Sequence, residues 1–124
     1  MQKKVIMTNR APKPAGPYSQ AIIVNDTVYV AGQLGIDPST GQAVEGVEAQ
    51  VAQALDNIQA ILEEAGSSLE KVAKLGVFLR DLSDFQALNK VFQMRFPASP
   101  PARTTVQASL PGKFLVEIDA VATL

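Results

Sequence analysis

The stretch from Val47 to Leu79, VEAQVAQALDNIQAILEEAGSSLEKVAKLGVFL, changes its apolar period partway along, and that change decides the fold class. In its first part Val47, Val51, Ala54, Leu55, Ile58, Ile61, Leu62 and Ala65 recur at helical spacing, so 47–65 reads as an amphipathic helix. Gly66 stands where a helix ends on a left-handed residue. Beyond it, Ala73, Leu75, Val77 and Leu79 alternate, which predicts a strand over 72–79 with those four side chains on one face.

On the N-terminal side, Lys4–Met7 reads as a short strand. Arg10–Pro17, with three prolines and a glycine, reads as a stiff irregular loop. Tyr18–Val24 and Thr27–Ala31 read as strands joined at Asn25-Asp26 into a hairpin, and Asp37–Gly41 is a second turn. On the C-terminal side, Ser83 with Gln86 resembles a capping box. Phe85, Leu88, Phe92 and Phe96 then mark the inner face of a second helix, which the prolines at 97, 100 and 101 end. Ala102–Ser109 and Phe114–Thr123 read as a last hairpin around Leu110–Lys113.

The order β-ββ-α-β-α-ββ predicts an α+β domain spanning 1–124: a single mixed sheet with both helices on one face and at least one parallel pairing. No element remains to cover the other sheet face. Hydrophobic residues make up 47% of the chain and charged residues only 19%. A well-packed core accounts for that balance, and so does apolar surface buried between subunits; the topology favours the second.

Composition also excludes chemistry. The chain has no Cys and no His, which removes disulfides, thiolate catalysis, Cys/His zinc sites and every histidine-based triad. Net charge is −1 with scattered basic residues, so neither nucleic acid nor an anionic membrane is indicated as a partner. Met1–Pro17 holds no apolar run of signal-peptide length, and no apolar stretch reaches about 18 residues. A soluble, cytoplasmic protein is expected.

An active site must then come from the remaining polar side chains and the backbone. Arg103, after Pro100-Pro101-Ala102, is either a carboxylate-binding fork or a surface arginine. Glu117, between Leu115-Val116 and Ile118, is either a general acid/base with a raised pKa or a glutamate on a solvated face that it shares with Asp119. Tyr18 beside a stiff loop lines a pocket or packs at a strand start. Asn89 lies within a helix, where asparagine is a poor former, and reaches toward a ligand or simply meets water. Gly32 offers a backbone N–H for an oxyanion or merely ends a strand. None of these signals is specific alone. Together they describe a carboxylate binder with one acid/base group and no electrophilic metal.

Three stretches carry a resemblance: Gly16-Pro17-Tyr18-Ser19-Gln20-Ala21; Ala31-Gly32-Gln33 with Asp37-Pro38 and Thr40-Gly41; and Pro101-Ala102-Arg103-Thr104-Thr105-Val106 leading to Val116-Glu117-Ile118. Leu55–Ile58 and Asp84-Phe85 with Leu88-Asn89 fit the same pattern. The chain resembles the Rid (YjgF) family over almost its whole length, its RidA branch above all. That resemblance implies a chorismate-mutase-like fold in which three subunits pack their sheets into a central barrel, with active sites in the clefts between subunits. Arg103 resembles the carboxylate anchor and Glu117 the residue that positions the attacking water. Tyr18 and Asn89 resemble pocket residues, and Ala31, Gly32 and Thr105 resemble a cradle formed mainly by backbone groups. Four positions depart from the frequent pattern: Ala31 for Ser, Thr105 for Cys, Phe92 for Tyr and Gly76 for Thr.

The implied activity is hydrolysis of 2-imino acids, such as those released by pyridoxal-phosphate dehydratases acting on Ser or Thr, to 2-oxo acids and ammonia, without metal or cofactor. A ribonuclease or translation inhibitor, a non-catalytic small-acid regulator and a chaperone are the competing readings. One geometric difficulty accompanies the first. A tight hairpin would pair Gln107 with Glu117 and leave Arg103 roughly 13 Å down the strand. Long side chains, a bulge or a second subunit would have to close that gap.

Overall fold

The computed structural model describes residues 2–124; Met1, where the N-terminal segment read above begins, lies outside the described residues. The strands are β1 (Lys4–Ile6), β2 (Ala21–Val24), β3 (Thr27–Leu34), β4 (Ile36–Asp37), β5 (Gln42–Ala43), β6 (Val72–Leu79), β7 (Ala102–Gln107) and β8 (Val116–Thr123). The helices are α1 (Val47–Glu64) and α2 (Phe85–Arg95). Six strands form one mixed sheet in the order β1-β2-β3-β8-β6-β7, and β4 and β5 form a small ribbon beside it. Among the described residues no helix is long and apolar enough to cross a membrane.

Helix α1 follows its apolar stripe. Val51, Ala54, Leu55, Ile58, Ile61 and Leu62 are fully buried against the sheet, each large side chain contributing about 1.5–3 kcal/mol. Gly66 (φ 86°) ends the helix: the Ser67 N–H donates to Leu62 O at 2.8 Å and the Gly66 N–H to Glu63 O at 3.1 Å, the paired bonds of a Schellman cap. Strand β2 turns into β3 at Asn25 (φ 54°), with Val24 opposite Thr27, as the hairpin reading requires.

The C-terminal hairpin does not form. Strand β7 pairs in parallel with β6, and β8 lies antiparallel between β3 and β6. The two sequences explain the exchange. Strand β8 buries Val116, Ile118, Ala120 and Ala122, a side-chain row that needs a neighbour on each side. Strand β7 leaves Ala102, Thr104, Val106 and Gln107 exposed, which suits an edge. The turn at Pro111-Gly112 is real, but it carries the chain across the end of β6. Arg80 fastens the crossing, its guanidinium donating to the carbonyls of Leu110, Pro111, Gly112 and Phe114 at 2.6–3.2 Å.

Smaller corrections have local causes. Strand β2 begins at Ala21 rather than Tyr18, because the Tyr18 N–H closes a tight turn onto Gly16 O at 2.9 Å. Strand β3 runs past Ala31 to Leu34 through a bulge between Val30 and Gln33. A second irregularity between Val72 and Lys74 exposes Ala73 and buries Val72 in its place, so the inner face of β6 is Val72, Leu75, Val77 and Leu79. The capping box is absent: Asp81 accepts from the Ser83 N–H at 2.9 Å and starts a 3-10 turn that leads into α2. Leu88, Phe92 and Phe96 face the core, whereas Phe85 is 42% exposed.

Both helices cover one face of the sheet. Across the other run Val5, Ile22, Tyr29 and Val121, and further along Val106 beside Phe78, all exposed or half-exposed. The face without a cover predicted from the sequence is present, with these apolar side chains set beside the charged Lys74, Glu117 and Asp119.

Candidate active site

Strand register sorts the candidate residues into two groups. Arg103 sits opposite Leu75 and Thr105 opposite Val77. Leu75 and Val77 are buried under the helices, so Arg103 and Thr105 share the helix-bearing face. The Arg103 guanidinium carbon lies 4.9 Å from the Phe92 ring centroid and 5.3 Å from that of Phe85, within cation–π range of both rings. Beside it Asn89, Phe92, Phe96, Pro100 and Pro101 line a groove of about 430 Å³. The chain enters β7 through Ser99 in the left-handed region (φ 51°) and two prolines, which fix its direction.

The other arginines are occupied. Arg10 pairs with Glu63 at 3.0 Å, Arg95 with Asp56 at 2.8 Å, and Arg80 holds its loop. Among the described residues Arg103 has neither a carboxylate nor a carbonyl partner, and desolvation pulls its pKa below the ordinary arginine value. A desolvated guanidinium with open N–H donors and apolar neighbours is a site for a planar anion.

The second group lies on the opposite face. Glu117 alternates with the buried Val116 and Ile118, so its side chain leaves the sheet away from the helices. Its carboxylate rests on Gly32 at the β3 bulge: a Cβ there would come within 2.6 Å of Oε2. Burial, and then the charge of Asp119 two residues on, push the Glu117 pKa up, so the group can take and return a proton nearer neutrality. Asp119 rests in the same way on Gly76, whose N–H donates to Asp119 Oδ1 at 3.0 Å. A Cβ on Gly76 would collide with that oxygen; glycine here makes room for the second carboxylate. Tyr18 and Gly32 line one narrow cleft with the loop from Pro12 to Ala15, and the Tyr18 hydroxyl accepts from the Ala15 N–H at 3.2 Å. The Ala31 N–H is already used by Gln20 O at 2.9 Å.

One copy of the chain keeps the two groups apart. Arg103 is level with Leu75 and Ala120, whereas Glu117 is level with Phe78. Two strand spacings and three residues of offset separate their Cα atoms by about 14 Å, with side chains on opposite faces. Longer reach does not cure opposite faces, and the β3 bulge seats the Glu117 carboxylate on Gly32, on the face away from Arg103.

Sequence reasoning missed the groups that hold this arrangement. Gln20, Gln50 and Asn57 are at most 2% exposed. Gln20 clamps Thr8 and Pro12 in the loop before Tyr18. Gln50 joins Val44 O, Lys113 O and the Leu115 N–H ahead of β8. Asn57 donates to Leu34 O and Ile36 O after the bulge. A signal existed for two of them: Gln50 and Asn57 interrupt the apolar stripe of α1. Among the described residues no cluster of acidic side chains is placed to hold a metal ion.

A model of the endoribonuclease L-PSP family matches residues 8–124. A RutC family protein of Pyrococcus abyssi is 51% identical, covering 98% of this chain and 98% of its own length. The 2-iminobutanoate/2-iminopropanoate deaminase of Bos taurus is 48% identical over 97% of this chain and 89% of that protein. The crystal structure of RidA from an Antarctic Psychrobacter has a TM-score of 0.94 at 47% identity, covering 98% of this chain and 99% of that one. With the mixed sheet and the two helices as the resemblance implied, and a family model matching residues 8–124, the chain belongs to the Rid (YjgF) family, the family of the endoribonuclease L-PSP model.

Proposed function

We propose that this protein is a cytoplasmic 2-iminobutanoate/2-iminopropanoate-type deaminase, hydrolysing small 2-imino acids to 2-oxo acids and ammonia in three clefts of a homotrimer, without metal or cofactor. The observation that carries the reading is Arg103, the arginine left without a partner, set in an apolar groove. The trimer is supported by the bare apolar sheet face and by the division of the site between two faces of one chain. Packing three sheets together covers Val5, Tyr29, Phe78 and Val121. It also lets the Glu117 group of one subunit meet the Arg103 group of the next.

In such a cleft Arg103 holds the substrate carboxylate and fixes the C=N carbon. Glu117 takes a proton from water as the oxygen bonds to that carbon, and returns it to nitrogen to give a carbinolamine. The hydroxyl proton then passes through Glu117 to nitrogen, the C–N bond breaks, and ammonia leaves the 2-oxo acid. Gly32 and Thr105 contribute backbone polar groups, and Tyr18 and Asn89 complete the walls.

RNA as substrate has less support. Arg10, Lys90 and Arg95 are paired with Glu63, Glu48 and Asp56, which takes three of the eleven basic side chains out of any cationic track. The test is release of ammonia and 2-oxo acid from imines generated in situ, beside RNA cleavage by the same preparation. Turnover of imine without cleavage is expected; cleavage without imine turnover would reverse the assignment.

A further inference from the structure

Thr105 carries the one buried side-chain polar atom without a hydrogen-bond partner among the described residues, its hydroxyl oxygen Oγ1. An orphaned hydroxyl costs about 1–3 kcal/mol, so proteins rarely keep one without a reason. Its location supplies the reason. Thr105 lies on β7 two residues beyond Arg103 and on the same face, as the register opposite Val77 and Leu75 fixes. The next residue along that face is about 6.7 Å away, within the span of a bound carboxylate and its substituents. Although Oγ1 is closed off, the residue as a whole is only half-buried. A threonine in a strand has more than one accessible χ1 rotamer, so Oγ1 can leave its closed position by a single side-chain rotation.

We propose that the Thr105 hydroxyl is a side-chain contact for the substrate: unpaired in the free protein, it turns to donate a hydrogen bond to the carboxylate that Arg103 holds. This rests on Arg103 being the carboxylate anchor, and it adds a role that a backbone cradle at Thr105 does not require. Because the hydroxyl gains its partner only when the anion is present, satisfying it adds to affinity rather than to the stability of the free protein.

The test is calorimetric titration of the full-length protein with 2-oxobutanoate, together with thermal melts without ligand, for wild type, Thr105→Val and Thr105→Ser. Valine keeps the shape and removes the hydroxyl; serine keeps the hydroxyl. Thr105→Val should melt higher than wild type yet bind 2-oxobutanoate about tenfold more weakly, while Thr105→Ser should stay within about twofold of wild-type affinity. Equal affinity of Thr105→Val and wild type would overturn the proposal, as would a lower melting temperature for Thr105→Val, which would mean that the hydroxyl already has a partner. Loss of assembled mass with unchanged affinity would assign the hydroxyl to a subunit contact and overturn it too. A wild-type protein that binds no 2-oxo acid would overturn this proposal and the deaminase reading together, so the two failures are distinguishable.

Discussion

Replacing Arg103 by lysine keeps the positive charge and removes the planar fork, which makes it the sharpest single perturbation of the anchor. In the structure the guanidinium carbon lies 4.9 Å from the Phe92 ring centroid and 5.3 Å from that of Phe85. Its planar fork of N–H donors can meet both oxygens of a carboxylate. A lysine ammonium on a flexible stem keeps one such bond and loses the other. The lost charge-assisted bond is worth about 2–3 kcal/mol, or roughly a hundredfold. The contact exists in ground state and transition state alike, so the 2-oxobutanoate Kd should rise by about that factor and kcat/KM should fall by about the same. Circular dichroism and light scattering should not change. A lysine variant within about threefold of wild type in both Kd and kcat/KM would refute the reasoning, because Arg103 would then be an ordinary surface cation.

Glu117→Gln should abolish turnover while leaving 2-oxobutanoate binding intact, since the anchor is untouched. Its stability has a sign that can be checked. A glutamate whose pKa is raised on folding contributes stability below its unfolded pKa and loses it as pH rises through the folded value. Glu117→Gln should therefore melt above wild type at about pH 7.5, and the gap should close near about pH 4. Gly32→Ala puts a methyl within 2.6 Å of Glu117 Oε2; the carboxylate should swing aside, lowering kcat at least tenfold or so with a stability change below about 1 kcal/mol. Gln50→Leu strands the Leu115 N–H and two carbonyls, and urea unfolding should show a loss of about 2–4 kcal/mol.

Helix α1, and strand β6 beyond its irregularity at Val72–Lys74, were legible because each buries one face in a single period, and the Asn25-Asp26 hairpin because its turn is local. The C-terminal strands were not. Ala102–Ser109 and Phe114–Thr123 stand close in sequence with turn residues between them, which is what a hairpin offers. Whether β8 folds onto β7 or crosses to β3 depends on which strand can bury Ile118 and Ala120 on both sides, and on Arg80 bonding the crossing loop. Neither fact is local. The capping box failed for a similar reason, since Asp81 reached the Ser83 N–H first. At the site, Arg103 and Glu117 were each recognisable, chiefly through the family pattern. Their placement on opposite faces was hidden, because alternation fixes a side chain's face only once the strand order is known. The buried amides Gln50 and Asn57 were visible as polar breaks in an apolar stripe, but their partners at Lys113 to Leu115 and at Leu34 to Ile36 are set by tertiary packing.

Subunit complementation decides whether Arg103 of one subunit and Glu117 of another make one active site. Arg103→Ala and Glu117→Gln should each be inactive alone. Mixed in equal amounts, unfolded and reassembled together, random trimers place an intact Arg103 beside an intact Glu117 in about a quarter of the clefts. Deaminase activity should then return to about a quarter of the wild-type value measured after the same treatment. If wild type recovers its activity and the mixture stays inactive, both residues act within one chain or not at all, and the account is contradicted.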